Sequence, residues 1–281
     1  MLLVCEVLMR SRLSVGIVFG LMLSLALIGA SMFLAGDIRL FFNLPSFFIT
    51  VGGTTGVMIT AFPFSRLKTL GSVLKKAFVI EKFDLQKDID VIVALDELGK
   101  RKGLLSLEGA TELYEGNDFI KRGITLIMDG ADEDKLRDSL ESETYFMQQR
   151  HQKGVAMVEM IANTTPALGL LGTYIGLIPM LTSLDDPTKL GPLMAVELVT
   201  SFYGSFIANL IFSPIAKRLK LLNRDEVSRR DLMTEGLVGI LMHKNPRIIR
   251  EELNFFLASR EVDTQKRRGS RFRSTDEERV A

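Results

Sequence analysis

Within the apolar stretch of residues 163–216, Glu197, Thr200 and Ser201 lie three and four positions apart in GPLMAVELVTSFYG. On a helix of 3.6 residues per turn they share one narrow face with Gly204 and Ala208. A carboxylate held inside an apolar helix costs about 2.5–3.5 kcal/mol on insertion scales, so it belongs against protein or water rather than lipid. Hydroxyl oxygens beside it could help coordinate a partly dehydrated cation. The preceding run adds Thr173 on a stripe with Pro166, Gly169, Gly176 and Met180. Such stripes could line an ion path. They could equally be packing surfaces, because Ser and Thr hydroxyls within helices bond back to the carbonyl one turn earlier. Pro192 reads as a first-turn proline, which places Glu197 only about 7 Å inside its helix end and leaves its carboxylate an interfacial role as well. Pro166 and Pro214 each remove a backbone hydrogen bond near one end of this pair of runs, which serves a hinge or a static bend.

The elements that must position these residues are membrane-spanning helices. Runs at 13–35, 44–62, 155–184 and 193–216 are each long enough to cross about 30 Å of hydrocarbon at about 1.5 Å per residue. The first two contain no charged residue, and the last two hold one acid each, Glu159 and Glu197. Glu159 is expected to be solvated or paired with Lys153. The first run exceeds the 7–15 residues of a secretory signal's apolar core, the other reading of such a start. Composition agrees: 47% of residues are hydrophobic and mean hydropathy is +0.22, yet 25% are charged, so the charges must lie outside the spans. The glycine and alanine spacing is that of helices whose backbones approach closely: Gly16 with Gly20, Gly52 with Gly56, Gly172 with Gly176, Gly204 with Ala208.

The short loops 36–43 and 185–192 contain only Arg39 and Lys189 as basic residues, whereas the segment 63–154 and the segment from Lys217 onward are rich in Lys and Arg. The positive-inside rule therefore puts both termini (1–12 and 217–281) and the central block in the cytoplasm. In that block Asp84 caps a helix carrying Ile89, Ile92, Val93, Leu95 and Leu98, ending near Gly99 or Gly103. Lys100, Arg101, Lys102 and Glu108 follow as a charged cluster on an exposed turn. A second helix occupies 118–128, closed by Asp129-Gly130, and a third starts at Asp132 and runs directly into the third span. Beyond the fourth span the helical pattern continues through 217–260, with Asn245-Pro246 opening a final amphipathic helix, and the polar segment 261–281 reads as a disordered tail. The expected fold is all-α: four transmembrane helices and a helical cytoplasmic domain.

Several chemistries find no support. There is no Walker-type phosphate loop, His151 and His243 are isolated, and the single Cys5 cannot form an intramolecular disulfide. Net charge is +1 with no basic stripe, so nucleic acid is not an expected partner. Neither an enzyme nor a cofactor is expected.

The motifs TPALGLLGTYIGL (165–177), GPLMAVELVTSFYGSFIANLIFSPIA (191–216), LPSFFITVGGT (44–54), SLEG (106–109) and MDGAD (128–132) resemble those of the MotA/PomA family, the bacterial flagellar stator subunits. The resemblance covers nearly the whole chain. It implies an inner-membrane ring, a pentamer, around two copies of a single-span MotB/PomB-type partner that supplies the ion-binding aspartate. It further implies passage of protons or sodium ions, and torque delivered to the rotor protein FliG in motility and chemotaxis. On that resemblance Thr173 and Thr200 lie near the ion route, Pro166 and Pro214 are the paired functional prolines, and Lys100, Arg101, Lys102 and Glu108 face the rotor. Two positions depart from the family pattern: Ser201 stands for a second Thr, and Glu197 for a usual Ala. A related energiser of the ExbB/TolQ type is the alternative, disfavoured by four spans rather than three.

Overall fold

The computed structural model describes residues 15–79, 84–113 and 117–257, and among these every regular element is a helix. The expected N-terminal segment 1–12 and tail 261–281 lie outside the described residues. The first span is α1 (Val15–Ala35), and the second is α2 (Leu44–Ala61). Next come α3 (Leu70–Phe78), α4 (Leu85–Lys102), α5 (Asp118–Met128) and α6 (Glu133–Leu181). The chain closes with α7 (Pro187–Ser205), α8 (Ser213–Leu241) and α9 (Pro246–Asn254). Four of the helical stretches are long and apolar enough to cross a membrane.

The described residues divide into two compact units, 1–81 with 149–223 and 82–148 with 224–281. The units do not divide at the expected span ends of 63, 154 and 217. Residues 70–78 belong with the spans, because Leu70, Val73, Leu74 and Ala77 pack on Val155, Val158, Ile215 and Leu219. The second unit is assembled from the segment between the second and third spans and the segment after the fourth.

In the second unit, local signals decide the helix ends. Asp84 accepts the N–H of Lys87 (3.2 Å) at the start of α4, and Gly103, with φ +84°, ends it. Asn117 accepts from Ile120 (3.2 Å) to open α5, and Asn245 from Arg247 (3.0 Å) to open α9. Ile89, Ile92, Leu95, Ile120, Ile124, Leu136, Leu140, Leu237 and Ile249 then close a single apolar core between these helices. Each buried side chain of this kind contributes about 1.5–3 kcal/mol. Ion pairs fix the register: Arg229 grips the buried Asp88 through two bonds of 2.6 and 2.8 Å, and Arg230 joins Glu143 at 2.8 Å.

The span unit cannot rely on the hydrophobic effect, since lipid is as apolar as leucine, so it depends on close contact and buried hydroxyls. It contains two π-helical turns that no local sequence signal announces. In α2 the turn Phe48–Gly52 lets Gly53 donate to the carbonyl of Phe48, five residues back. Between α7 and α8 the turn Phe206–Phe212 lets Ser213 donate to Ala208. The second ends two residues before Pro214, whose ring crowds the carbonyl four residues back, and the wider turn relieves that crowding.

Two expectations change here. Asp186 and Pro187 form the start of α7, Asp186 accepting the N–H of Thr188 at 3.1 Å, so Pro192 sits inside the helix rather than in its first turn. Glu197 is ten residues, about 15 Å along the axis, from that start rather than about 7 Å. Glu159 pairs with Lys220 of α8 and not with Lys153. Six residues along a helix turn through about 600°, which leaves Lys153 about 120° away from Glu159.

Candidate functional site

The spans α6 and α7 meet along a seam with no room for side chains on one side. A Cβ added to Gly169 would lie 3.2 Å from the Cα of Gly204, and one added to Gly176 would lie 3.0 Å from the backbone nitrogen of Glu197. At Gly172 the added carbon would fall 2.1 Å from Cγ2 of Thr200. The expected close approach is thus present for Gly172, Gly176 and Gly204. Among the described residues, and beyond the local helix backbone, nothing comes within 4 Å of a Cβ placed on Gly16, Gly20 or Gly56.

The hydroxyls around the seam fall into two groups. Thr173 is half-buried and donates to the carbonyl of Leu170 at 2.7 Å, which is the packing alternative. Thr200 is fully buried, and its hydroxyl reaches Ser46 Oγ (2.9 Å) and the carbonyl of Val196. Ser46, also fully buried, bonds Asn43 Oδ1 at 3.0 Å. Glu197 and Ser201 are half-buried beside this junction, Glu197 against Gly176 and Ser201 against Gly169. The structure therefore gathers Glu197, Thr200 and Ser201 on one seam and turns the Thr173 hydroxyl back into its own helix.

Sequence reasoning missed the α2 side of this network. Ser46, Thr50 and Thr54 stack at intervals of four, with Thr50 donating to the carbonyl of Ser46 (2.8 Å) and Thr54 to that of Thr50 (2.6 Å). Thr54 also reaches Thr165 of α6 at 3.3 Å. Tyr203 closes the other end, donating to the carbonyl of Phe41 (2.6 Å) and accepting the N–H of Asn43 (3.3 Å). The spacing of four along a charge-free span was the available signal.

The two prolines sit differently. Pro166 lies half-buried within the continuous α6, its Cα 3.3 Å from a Cβ placed on Gly204, whereas Pro214 is exposed after the π-turn. In the second unit, Arg101 is 80% exposed, 3.9 Å from Glu97, and Lys102 and Glu108 are exposed. Lys100 differs: its ammonium holds Asp96, which is 1% exposed, at 2.8 Å and also reaches the carbonyl of Lys244. Elsewhere in that unit, a hydrogen bond from Arg137 holds the Glu235 carboxyl below its ordinary range. Burial, with Glu141 and Glu235 nearby, pushes Asp231 up. Among the described residues no three acidic, histidine or cysteine side chains converge as metal ligands.

Four helical stretches long and apolar enough to cross a membrane, a glycine-closed seam bearing buried hydroxyls, and a charged helical unit are the features of an integral membrane protein. Residues 114–232 match the MotA/TolQ/ExbB proton channel family. The chain is similar to motility protein A of Cereibacter sphaeroides, at 35% identity over 83% of this chain and 91% of that one. It is also similar to the protein YtxD of Bacillus subtilis, at 39% identity over 81% of this chain and 83% of that one. Its fold superposes on the structure of the flagellar MotAB stator complex from Bacillus subtilis with a TM-score of 0.80 at 28% identity, covering 88% of this chain and 98% of that one. The chain belongs to the MotA/TolQ/ExbB proton channel family, within its flagellar stator branch.

Proposed function

We propose that the chain is the A-type subunit of a flagellar stator, passing protons or sodium ions beside a single-span MotB/PomB-type partner and turning that flow into torque. The observation that carries this reading is the α6/α7 seam. It fixes Thr200, Ser201 and Glu197 in one place, in a fold shared with stator complexes. A partner helix bearing the ion-binding aspartate would pass this face, and five copies would surround two such helices. Pro166 and Pro214 act as hinges where a missing N–H weakens the helix. Arg101, Lys102 and Glu108 carry the contact with FliG, while Lys100 supports them by neutralising Asp96. The subunit lies in the inner membrane with both termini cytoplasmic, and it contributes no enzymatic step and needs no resident cofactor.

The test is ion entry in cells expressing the chain alone, the partner alone, or both, followed with cytoplasmic pH and sodium indicators. Entry that requires both chains is the expected result. No entry in cells where both are present in the membrane at equal level overturns the proposal.

A further inference from the structure

A fully buried contact joins the middle of α7 to the start of α2. Ser46 Oγ lies 2.9 Å from Thr200 Oγ1, 3.0 Å from Asn43 Oδ1 and 3.2 Å from the carbonyl oxygen of Val196, and both Ser46 and Thr200 are 0% exposed. Thr200 Oγ1 also meets the Val196 carbonyl. Each hydroxyl has one proton to give and can accept as well. Thr200 can donate to Ser46 while Ser46 donates to Asn43, or Ser46 can donate to Thr200 while Thr200 donates to Val196; the contact survives either way. The α6 glycines set how closely α7 approaches. The side-chain hydrogen bonds that tie α7 to its neighbours among the described residues run instead to the α2 side, through Thr200 to Ser46 and through Tyr203 to Phe41 and Asn43. Successive helix residues turn by about 100°, so with Thr200 facing α2, Ser201 lies about 100° and Glu197 about 60° round the same side of α7. Among the described residues neither the Ser201 hydroxyl nor the Glu197 carboxylate meets a hydrogen-bonding or ion-pair partner, and both residues are half-buried.

We infer that Ser46 is a positioning residue for the ion step: through Thr200 it sets the rotation of α7, and so the direction in which Ser201 and Glu197 face the passing cation. This role rests on the stator reading proposed above. Ser46 supplies no ligand itself, since it is closed off inside the chain. Functional groups must be held within about 10–20° of their productive geometry. On a helix about 10–12 Å across, a turn of about 20° carries an outer atom about 2 Å. Breaking the Ser46–Thr200 bond therefore weakens cation binding along α7 while every atom that touches the cation is still present.

The test uses a flagellated host without its own stator, carrying the full chain with its single-span partner, and measures rotation speed of tethered cells against external sodium and, separately, external pH. Ser46→Ala should raise the ion concentration for half-maximal speed about tenfold, part of the roughly hundredfold that a misplacement of ~1 Å can cost. Speed at saturating ion should stay within about twofold, the pattern of lost binding rather than lost turnover. Ser46→Cys, a weaker hydrogen-bonding group, should shift the same way by less, and it is read in place of alanine if that variant is missing from the membrane. Thr200→Val removes the other half of the bond, so the double variant should shift no further than either single one. Thr60→Val removes an α2 hydroxyl bonded only to the Gly56 carbonyl of its own helix, at 3.0 Å, and should shift nothing. A lower maximal speed at an unchanged half-saturating concentration, additive shifts in the double variant, or no change at normal membrane level each overturns the inference and leaves the stator reading standing. No ion-dependent rotation from the unaltered pair overturns both.

Discussion

Replacing Gly172 with alanine adds one carbon at the most crowded glycine of α6. At this position that carbon would lie 2.1 Å from Cγ2 and 2.6 Å from Cβ of Thr200. Thr200 cannot easily yield: it is β-branched, fully buried, and bonded to Ser46 and to the Val196 carbonyl. Either α6 and α7 separate, at an overpacking cost of about 1–3 kcal/mol, or Thr200 rotates and gives up two bonds of about 0.6 kcal/mol each. A loss of about 1–3 kcal/mol follows, equivalent to a drop of about 2–12 °C in thermal midpoint. The natural control is Gly56→Ala, also in a span, where, beyond its own helix backbone, no atom of the described residues lies within 4 Å of the new carbon. There the expected change is within about 0.5 kcal/mol. The assay is thermal size-exclusion of the detergent-solubilised chain. Gly172→Ser would be worse than alanine, and Gly172→Ala with Thr200→Ser should recover part of the loss by removing Cγ2. Equal midpoints for Gly172→Ala and Gly56→Ala would refute the close-seam reasoning.

Lys100→Ala leaves the 1% exposed Asp96 without its cation and should cost about 3 kcal/mol in the second unit, whereas Arg101→Ala, at an 80% exposed position, should cost under about 1 kcal/mol. Chemical denaturation followed by circular dichroism separates the two, and equal effects would place both on the surface. The Glu235 carboxyl is held low by Arg137, so its contribution is present at neutral pH and is lost as pH falls through its folded value. Asp231 is raised by burial and by Glu141 and Glu235, so its penalty is present at neutral pH and disappears once pH falls below the unfolded value. Glu235→Gln should therefore destabilise, and Asp231→Asn stabilise, only above the ordinary carboxylate range of about pH 4; pH-independent effects would contradict both signs. Glu197→Gln should change the ion dependence of swimming without lowering the thermal midpoint, and unchanged torque and ion dependence would remove Glu197 from the path.

The helical framework was legible because its signals are local. Asp84, Asn245 and Pro246 cap as expected, Gly103 and Gly130 terminate with positive φ, and α6 runs unbroken from Glu133 through Gly154 and Pro166 into the span. What the sequence hid depends on contacts between elements. The placement of 70–78 with the spans is decided by Val73 meeting Gly154 and by Ala77 at the interface, which no periodicity announces. Pro192 was misread because two prolines five apart compete for one first turn, and Asp186 decides for Pro187. In the candidate site, the shared face of Glu197, Thr200 and Gly204 followed from spacing, but which hydroxyls are buried did not. That depends on the partner helix, and Ser46 of α2 proves to be the partner of Thr200.

The most direct test of the stator assignment is swimming of a flagellated host lacking its own stator, expressing this chain with its cognate single-span partner, while external sodium is varied and a protonophore is added. Restored swimming that stops when one of the two ion gradients is removed is the expected result, and the gradient that matters names the ion. Failure to swim, with both chains present in the membrane at normal level, would contradict the assignment.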